Sequence, residues 1–289
     1  MLSALTASVS AAAAARATRC RPTVRAFRPS SIVAVAATSD DAAATAKAAV
    51  LYDIPVSNHG ARVRLVMYWM QLEKAFTITN PSALGGIKSD AYLALNPQGK
   101  MPLLVLPNGL ALPESEVISQ YICHAYAAEG PSLIPDDPET RAVAALATRV
   151  HDLYLVPVQG AMYRGPMDIE ARANGIAEIA RQMDVIEGIM GLKTDGPFIA
   201  GARPTTADAA LFPTWVFIAH ILPKHFGWLD VFARRPHTAA WWEAMCADSC
   251  GARVLEEVTG GLEAWEVSGR FTKVGVDAHV KDRTHTWAH

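Results

Sequence analysis

Residues Asn96–Ser115, NPQGKMPLLVLPNGLALPES, carry the reading that decides the fold. Two short apolar runs, Leu103–Leu106 and Leu110–Leu112, flank Pro107-Asn108-Gly109. An Asn-Gly pair between apolar runs predicts a β-hairpin, because both residues tolerate positive φ. Pro113-Glu114-Ser115 closes the second run, and Val117, Ile118, Tyr121, Ile122 and Ala125 then recur at helical spacing. Ser115 beside a carboxylate predicts the helix start. The chain therefore passes from strand to helix through a polar corner, whose unpaired backbone N–H groups suit an anionic ligand.

Working toward the N-terminus, residues 48–54 (AAVLYDI) read as a strand and Pro55–Gly60 breaks it. Ala61–Leu72 resumes at helical spacing, with Val63, Val66, Met67 and Met70 on one face and Arg62 and Arg64 off it. Phe76–Thr79 is a second strand, β-branched and stopped by Asn80-Pro81. A short helical piece around Ser89–Leu95 precedes the deciding stretch. Residues 48–128 thus spell β-α-β-(α)-β-β-α, a small α/β unit ending in a hairpin and helix.

Toward the C-terminus the strand signals stop after the linker Pro135-Asp136-Asp137-Pro138. Glu139–Met162 reads as a long amphipathic helix bent at Pro157, and Asp168–Lys193 as a second. Thr205-Thr206-Ala207-Asp208 opens a third through a capping box, with Asp208 in the usual Glu position. That helix is apolar nearly all round to Ile221, the pattern of a buried central helix. The Trp241-Trp242 segment and Val254–Val267 follow as peripheral helices. Residues 269–289 show no periodicity and are expected to be a flexible tail whose histidines are incidental. The expected layout is a lead over 1–47, an α/β domain over 48–130 and an all-α domain over 139–268.

Charge and cysteines bound the function. Residues 1–37 hold five arginines (Arg16, Arg19, Arg21, Arg25, Arg28) and no acidic residue. This Ala-, Ser-, Thr- and Arg-rich composition predicts an organelle transit peptide, with the plastid stroma favoured and the mitochondrion as the alternative. The remainder has 21 basic against 28 acidic residues, which argues against nucleic acid or an anionic membrane surface as partner. No stretch reaches the ~18 apolar residues of a membrane span. Cys123, Cys246 and Cys250 form no C-x-x-C, and no ligand set with metal spacing accompanies them. The sequence also lacks G-x-G-x-x-G, P-loop, H-E-x-x-H and G-x-S-x-G motifs.

Several segments together resemble the soluble glutathione S-transferases over residues 48 to about 268. Tyr52–Asn58 with Arg62-Val63 looks like the phi and theta pattern, in which a serine follows the first strand. Asn96–Pro102 resembles the loop that pairs with the glutathione backbone. Pro113-Glu114-Ser115 with Ile118, Tyr121 and Ile122 resembles the γ-glutamyl site, and Thr205-x-x-Asp208 the capping box of the central helix. The resemblance implies a thioredoxin-like N-terminal domain, an all-helical C-terminal domain, glutathione as co-substrate, no metal and a homodimer.

Glutathione is an extended tripeptide with an amine, two carboxylates and a thiol. The resemblance implies a cis Met101–Pro102 bond that presents the Met101 backbone to the cysteinyl part, in the manner of an added strand. Glu114 and Ser115 would meet the γ-glutamyl end, and Lys100 and Lys88 the glycyl carboxylate. Ser57 would activate sulfur. A free thiol has a pKa of about 8.5, and lowering it by about two units needs only ~2.7 kcal/mol of preference for the thiolate. A fixed hydroxyl donor helped by helix N–H groups is of that size. Arg62 is expected in a surface or structural salt bridge, and His59 as a loop residue without a catalytic role. A hydrophobic electrophile would bind between the domains, with His151, Tyr154, Tyr163 and Trp215 as wall candidates. A thiol-redox activity would need cysteine where Ser57 stands. A glutathione-dependent isomerase and a non-catalytic carrier of hydrophobic ligands are the alternatives.

Overall fold

The computed structural model describes residues 48–289, so the expected transit peptide lies outside the described residues. Its sheet has four strands, in the order Phe76–Thr79, Ala49–Tyr52, Leu103–Val105, Ala111–Pro113. Strand β1 (Ala49–Tyr52) is central, parallel to β2 (Phe76–Thr79) and antiparallel to β3 (Leu103–Val105). Leu51, fully buried, sits opposite Ile78 on one side and Leu104 on the other. Strand β4 (Ala111–Pro113) pairs back on β3, Leu104 opposite Leu112. The predicted hairpin is present. The Leu106 N–H donates to the Leu110 carbonyl at 2.9 Å, and Gly109 takes φ +84°, a conformation that a side chain would strain.

Helices α1 (Asn58–Trp69), α2 (Asp90–Leu95) and α3 (Ser115–Ala125) complete this half. The expectation of a one-sided α1 is corrected. Apart from His59 the helix is buried along its whole length, Arg62 and Arg64 included. Its second face lies against the helical half of the chain, so both arginines are buried where carboxylates meet them.

That half begins with α4 (Pro138–Val150), which the sequence reading ran on to Met162. The chain does continue in helical sense, through a wide π turn over His151–Leu155, the short α5 (Val156–Val158) and a 3-10 turn over Gln159–Met162. Pro157 forces this irregularity, since it lacks the N–H of an α-helical ladder. Then come α6 (Ile169–Met190), α7 (Thr206–Ile221), α8 (Pro236–Ala247) and α9 (Ser249–Val267). Helix α7 is the expected central helix and packs against α1, α4 and α9. Its capping box is formed. The fully buried Asp208 carboxylate accepts from the Thr205 N–H at 2.7 Å, the Ile199 N–H at 3.0 Å and Trp241 Nε1 at 2.9 Å.

The expected flexible tail is a second correction. Residues 270–279 form two short helices, α10 (Arg270–Lys273) and α11 (Val276–His279), and Phe271, Val276 and Trp287 are buried. Buried Arg172 of α6 ties this segment down, donating to the carbonyls of Ala161, Arg164 and Val274 and to His279 Nδ1. Anchors spaced five and eleven residues apart leave no periodic signal, and their partner lies a hundred residues upstream.

Candidate active site

A cavity of about 1000 Å³ opens between the α/β and helical halves, with Ser57 on its lining. That lies at the upper end of the ~300–1,000 Å³ usual for small-molecule sites. Ser57 is the N-cap of α1, and its hydroxyl oxygen accepts from the Gly60 N–H at 3.0 Å. That bond uses the hydroxyl only as an acceptor; its O–H is within reach of the buried Asp53 carboxyl, whose pKa a hydrogen bond from Ser57 helps to lower. The N–H groups of Asn58 and His59 make no hydrogen bond among the described residues, so the opening turn of α1 keeps donors for an anion. Gly60 is required beneath this corner, because a Cβ there would overlap the Asp53 carboxylate. Asp53 pairs with Arg64. Burial pushes the Asp53 carboxyl up to about 6, against the pull of Arg64.

Two polar links fasten this corner to the helical half. The Asn58 side-chain amide donates to Gln159 Oε1 at 2.9 Å and to Thr214 Oγ1 at 3.0 Å. Arg62, 1 % exposed, pairs with Asp152 at 3.0 Å and with Glu116. The structural salt bridge expected of Arg62 is therefore present, and it is buried rather than on the surface. Burial works against ionisation of Asp152, yet the His151 hydrogen bond and the Arg62 charge hold its carboxyl well below the usual range. His59 lines the cavity, which the sequence reading did not expect. Burial, with the neighbouring charges of His151 and Arg62, pushes its pKa down to about 4, so it is a neutral imidazole at neutral pH.

Met101 and Pro102 form the cavity wall next to Ser57's half, joined by a cis peptide bond as expected. The Met101 N–H and C=O make no hydrogen bond among the described residues. Tyr92 and Asn96 brace the loop by donating to the Lys100 carbonyl at 2.8 and 2.7 Å. Glu114 and Ser115 line the same cavity. The cap differs from the expected one: Glu114 is the N-cap, with φ +71° and no capping bond from its side chain, and Ser115 is the first helical residue. The Ser115 hydroxyl is thereby not spent on its own helix. Lys100 lines the cavity, whereas Lys88 does not. The Lys88 ammonium lies over Gly99, 2.9 Å from where a Cβ would stand.

Of the four predicted wall residues only Tyr163 lines the cavity. Trp215 is fully buried, edge-on to Trp241. His151 is buried between Asp152 and Thr214, at 2.9 and 2.8 Å. Tyr154, on the outer side of the π turn, is 53 % exposed and away from the cavity. Helical spacing finds aromatics but does not say which face a π turn and a central helix present. The helical lining also includes Arg149, Asp152, Arg164, Phe217, Trp265 and Arg270, none of them expected there from the sequence. Among the described residues no group of three or more His, Cys, Asp or Glu side chains could hold a metal ion.

Comparison with known proteins bears on this cavity directly. Residues 51–131 match the glutathione S-transferase N-terminal domain model, and residues 169–244 the C-terminal domain model. Glutathione S-transferase 3 of Zea mays is 30 % identical over 214 residues, covering 68 % of this chain and 88 % of the relative. The chain belongs to the glutathione S-transferase family. A maleylacetoacetate isomerase of Pseudomonas aeruginosa is 31 % identical over 170 residues, covering 56 % of this chain and 78 % of the relative. A glutathione transferase structure from Populus trichocarpa, 22 % identical, superposes with a TM-score of 0.61 over 73 % of this chain and 99 % of its own. It shares the fold, a thioredoxin-like α/β domain followed by a helical domain. As a member of a glutathione-using family, the chain brings the transferase fold, the cis-proline loop and the Ser57 corner to one cavity. Among its described residues no helix is long and apolar enough to cross a membrane.

Proposed function

We propose that this glutathione S-transferase activates the glutathione thiol with Ser57 and conjugates it to electrophilic small molecules. One observation carries the reading: the Ser57 hydroxyl and the open N-terminal turn of α1 share a cavity with the unpaired Met101 backbone and the Glu114–Ser115 corner. Met101 would pair with the cysteinyl backbone and set the sulfur toward Ser57. Glu114 would receive the γ-glutamyl amine. The Ser115 hydroxyl and the first N–H groups of α3 would receive its carboxylate. Lys100 would approach the glycyl carboxylate. Lys88, already against Gly99, would act there only through a changed rotamer.

In the reaction the thiol proton leaves to solvent and the Ser57 O–H donates to the sulfur anion. The thiolate then attacks the electrophilic carbon, the C–S bond forms, and the leaving group departs with its electron pair. Neutral His59 supplies no positive charge to the sulfur, which leaves the hydroxyl and the helix N–H groups as the stabilising dipoles. The test is retention on immobilised glutathione followed by conjugation of a generic aryl halide by the full chain and by Ser57→Ala. Equal rates would remove Ser57 from the mechanism, and failure of both retention and turnover would remove the activity.

A glutathione-dependent isomerase would use the same corner, and the likeness to a maleylacetoacetate isomerase favours it as the second reading. It differs in leaving glutathione unconsumed, which a thiol assay reads. A non-catalytic carrier would bind a hydrophobic dye without retaining glutathione. We further propose a homodimer, checked by sedimentation at micromolar concentration. Plastid import is proposed from the arginine-rich, acid-free composition of residues 1–37; imaging of a fluorescent fusion tests it.

A further inference from the structure

We propose that the helical half of the cavity selects an acceptor that is both aromatic and anionic, an aryl carboxylate held by Arg164 and Arg270. The inference rests on the reading that the acceptor meets the thiolate in this cavity. Three rings form the wall: Tyr163 lies 5.3 Å from Phe217 and 5.5 Å from Trp265, and these two are 6.0 Å apart. Two guanidiniums are laid on that cluster. Arg270 sits 4.1 Å over the Trp265 ring, with Nε donating to the Tyr163 carbonyl at 3.3 Å. Arg164 sits 5.7 Å from the Tyr163 ring. Stacking on a ring uses the face of a guanidinium and leaves its edge free to fork a carboxylate.

Neither arginine has a carboxylate within salt-bridge distance among the described residues, and the acids nearby are already engaged. Asp152 and Glu116 hold Arg62, Glu266 holds His220 and Lys224, and Glu114 meets Gln98 at the γ-glutamyl corner. Arg149 is a third cavity cation without such a partner. A neutral acceptor filling this space would cover unpaired guanidiniums without compensation. A ring bearing a carboxylate meets both features at once, ring against rings and charge against charge, through short charge-assisted bonds. This narrows the hydrophobic electrophile expected from sequence.

The decisive comparison is calorimetric titration of the full chain with naphthoate and with uncharged naphthamide. Naphthoate is expected to bind about tenfold more tightly, and Arg164→Gln/Arg270→Gln to bring the two within about twofold. The single, exposed Arg164→Gln should already lose part of the preference, which guards against misfolding of the double variant. In parallel, the kcat/KM ratio for a carboxylated over an uncharged aryl halide should fall by a similar factor in the double variant. Equal binding of the two ligands, or a preference that survives both substitutions, overturns the proposal. An arginine-dependent preference for naphthoate without turnover of either halide upholds the anionic site and sinks the transferase reading instead.

Discussion

The two sides of the cavity differ in how they are built. Apart from Ile87, the α/β side is made from two short continuous segments, Ile54–Arg62 and Asn96–Val117, which present backbone turns, caps and a cis-proline loop to the cavity. The helical side is gathered from α4, the π turn, α5, the Tyr163-Arg164 turn, α7, α9 and α10, and it presents side chains, rings and guanidiniums. Backbone-built sites follow from local chemistry, since turn and cap residues set their own geometry. Side-chain-built sites follow only from tertiary packing. The first should therefore be constant in what it binds, and the second free to change by substitution.

The buried join between the sides is where the largest effect is expected. Arg62→Gln would strand the Asp152 and Glu116 carboxylates and cost about 3–5 kcal/mol of stability, as breaking a buried ion pair does. Chemical denaturation measures it; a loss below ~1 kcal/mol would mean that the sides are held together by apolar packing alone.

Acidification probes the same join. His59 is held near pKa 4 while its unfolded value is near 6.5. Between those values the unfolded chain takes up a proton that the folded chain refuses, so stability falls as pH drops, by at most about 3 kcal/mol. Asp53, pushed up from 3.8 to about 6, works in the opposite sense over the overlapping window, because there the folded chain holds the extra proton. Thermal melts from pH 7 to pH 4 should show a shallower acid arm in His59→Gln than in the native chain.

On the proposed glutathione side, Glu114→Gln removes the charge assigned to the γ-glutamyl amine. It should raise the KM for glutathione about tenfold, ~1.4 kcal/mol, while the KM for the acceptor holds. The smallest effect sharpens the contrast from the other side. Trp215→Phe should cost about 1 kcal/mol of stability and move neither KM, because Trp215 is core and touches no ligand.

Local signals carried the sequence reading as far as they reach. Asn108-Gly109 set the hairpin and Thr205 and Asp208 the start of α7, each within a few residues of itself, whereas α1 starts at Asn58 behind its Ser57 cap, three residues before the Ala61 expected from spacing. Failure came where partners are distant. Arg62 and Arg64 looked like a polar face because the carboxylates that bury them, Asp152 and Glu257, lie some ninety and two hundred residues away. Trp215 and His151 had the spacing of wall residues, but Trp215 lies on a buried face of α7 and His151 is turned against Thr214 of that helix. Arg270 lay in a segment with no period, fixed by Phe271 and by Arg172 of another helix.

The central claim is that the Ser57 corner, and not a charged base, makes the thiolate. The direct measurement is the thiolate ultraviolet absorbance of glutathione bound to the full chain, titrated from acid to alkaline pH, for the native protein and Ser57→Ala. The account predicts a midpoint about two units below the ~8.5 of a free thiol in the native complex, returning toward that value in the variant. The same depressed midpoint in both proteins would contradict it.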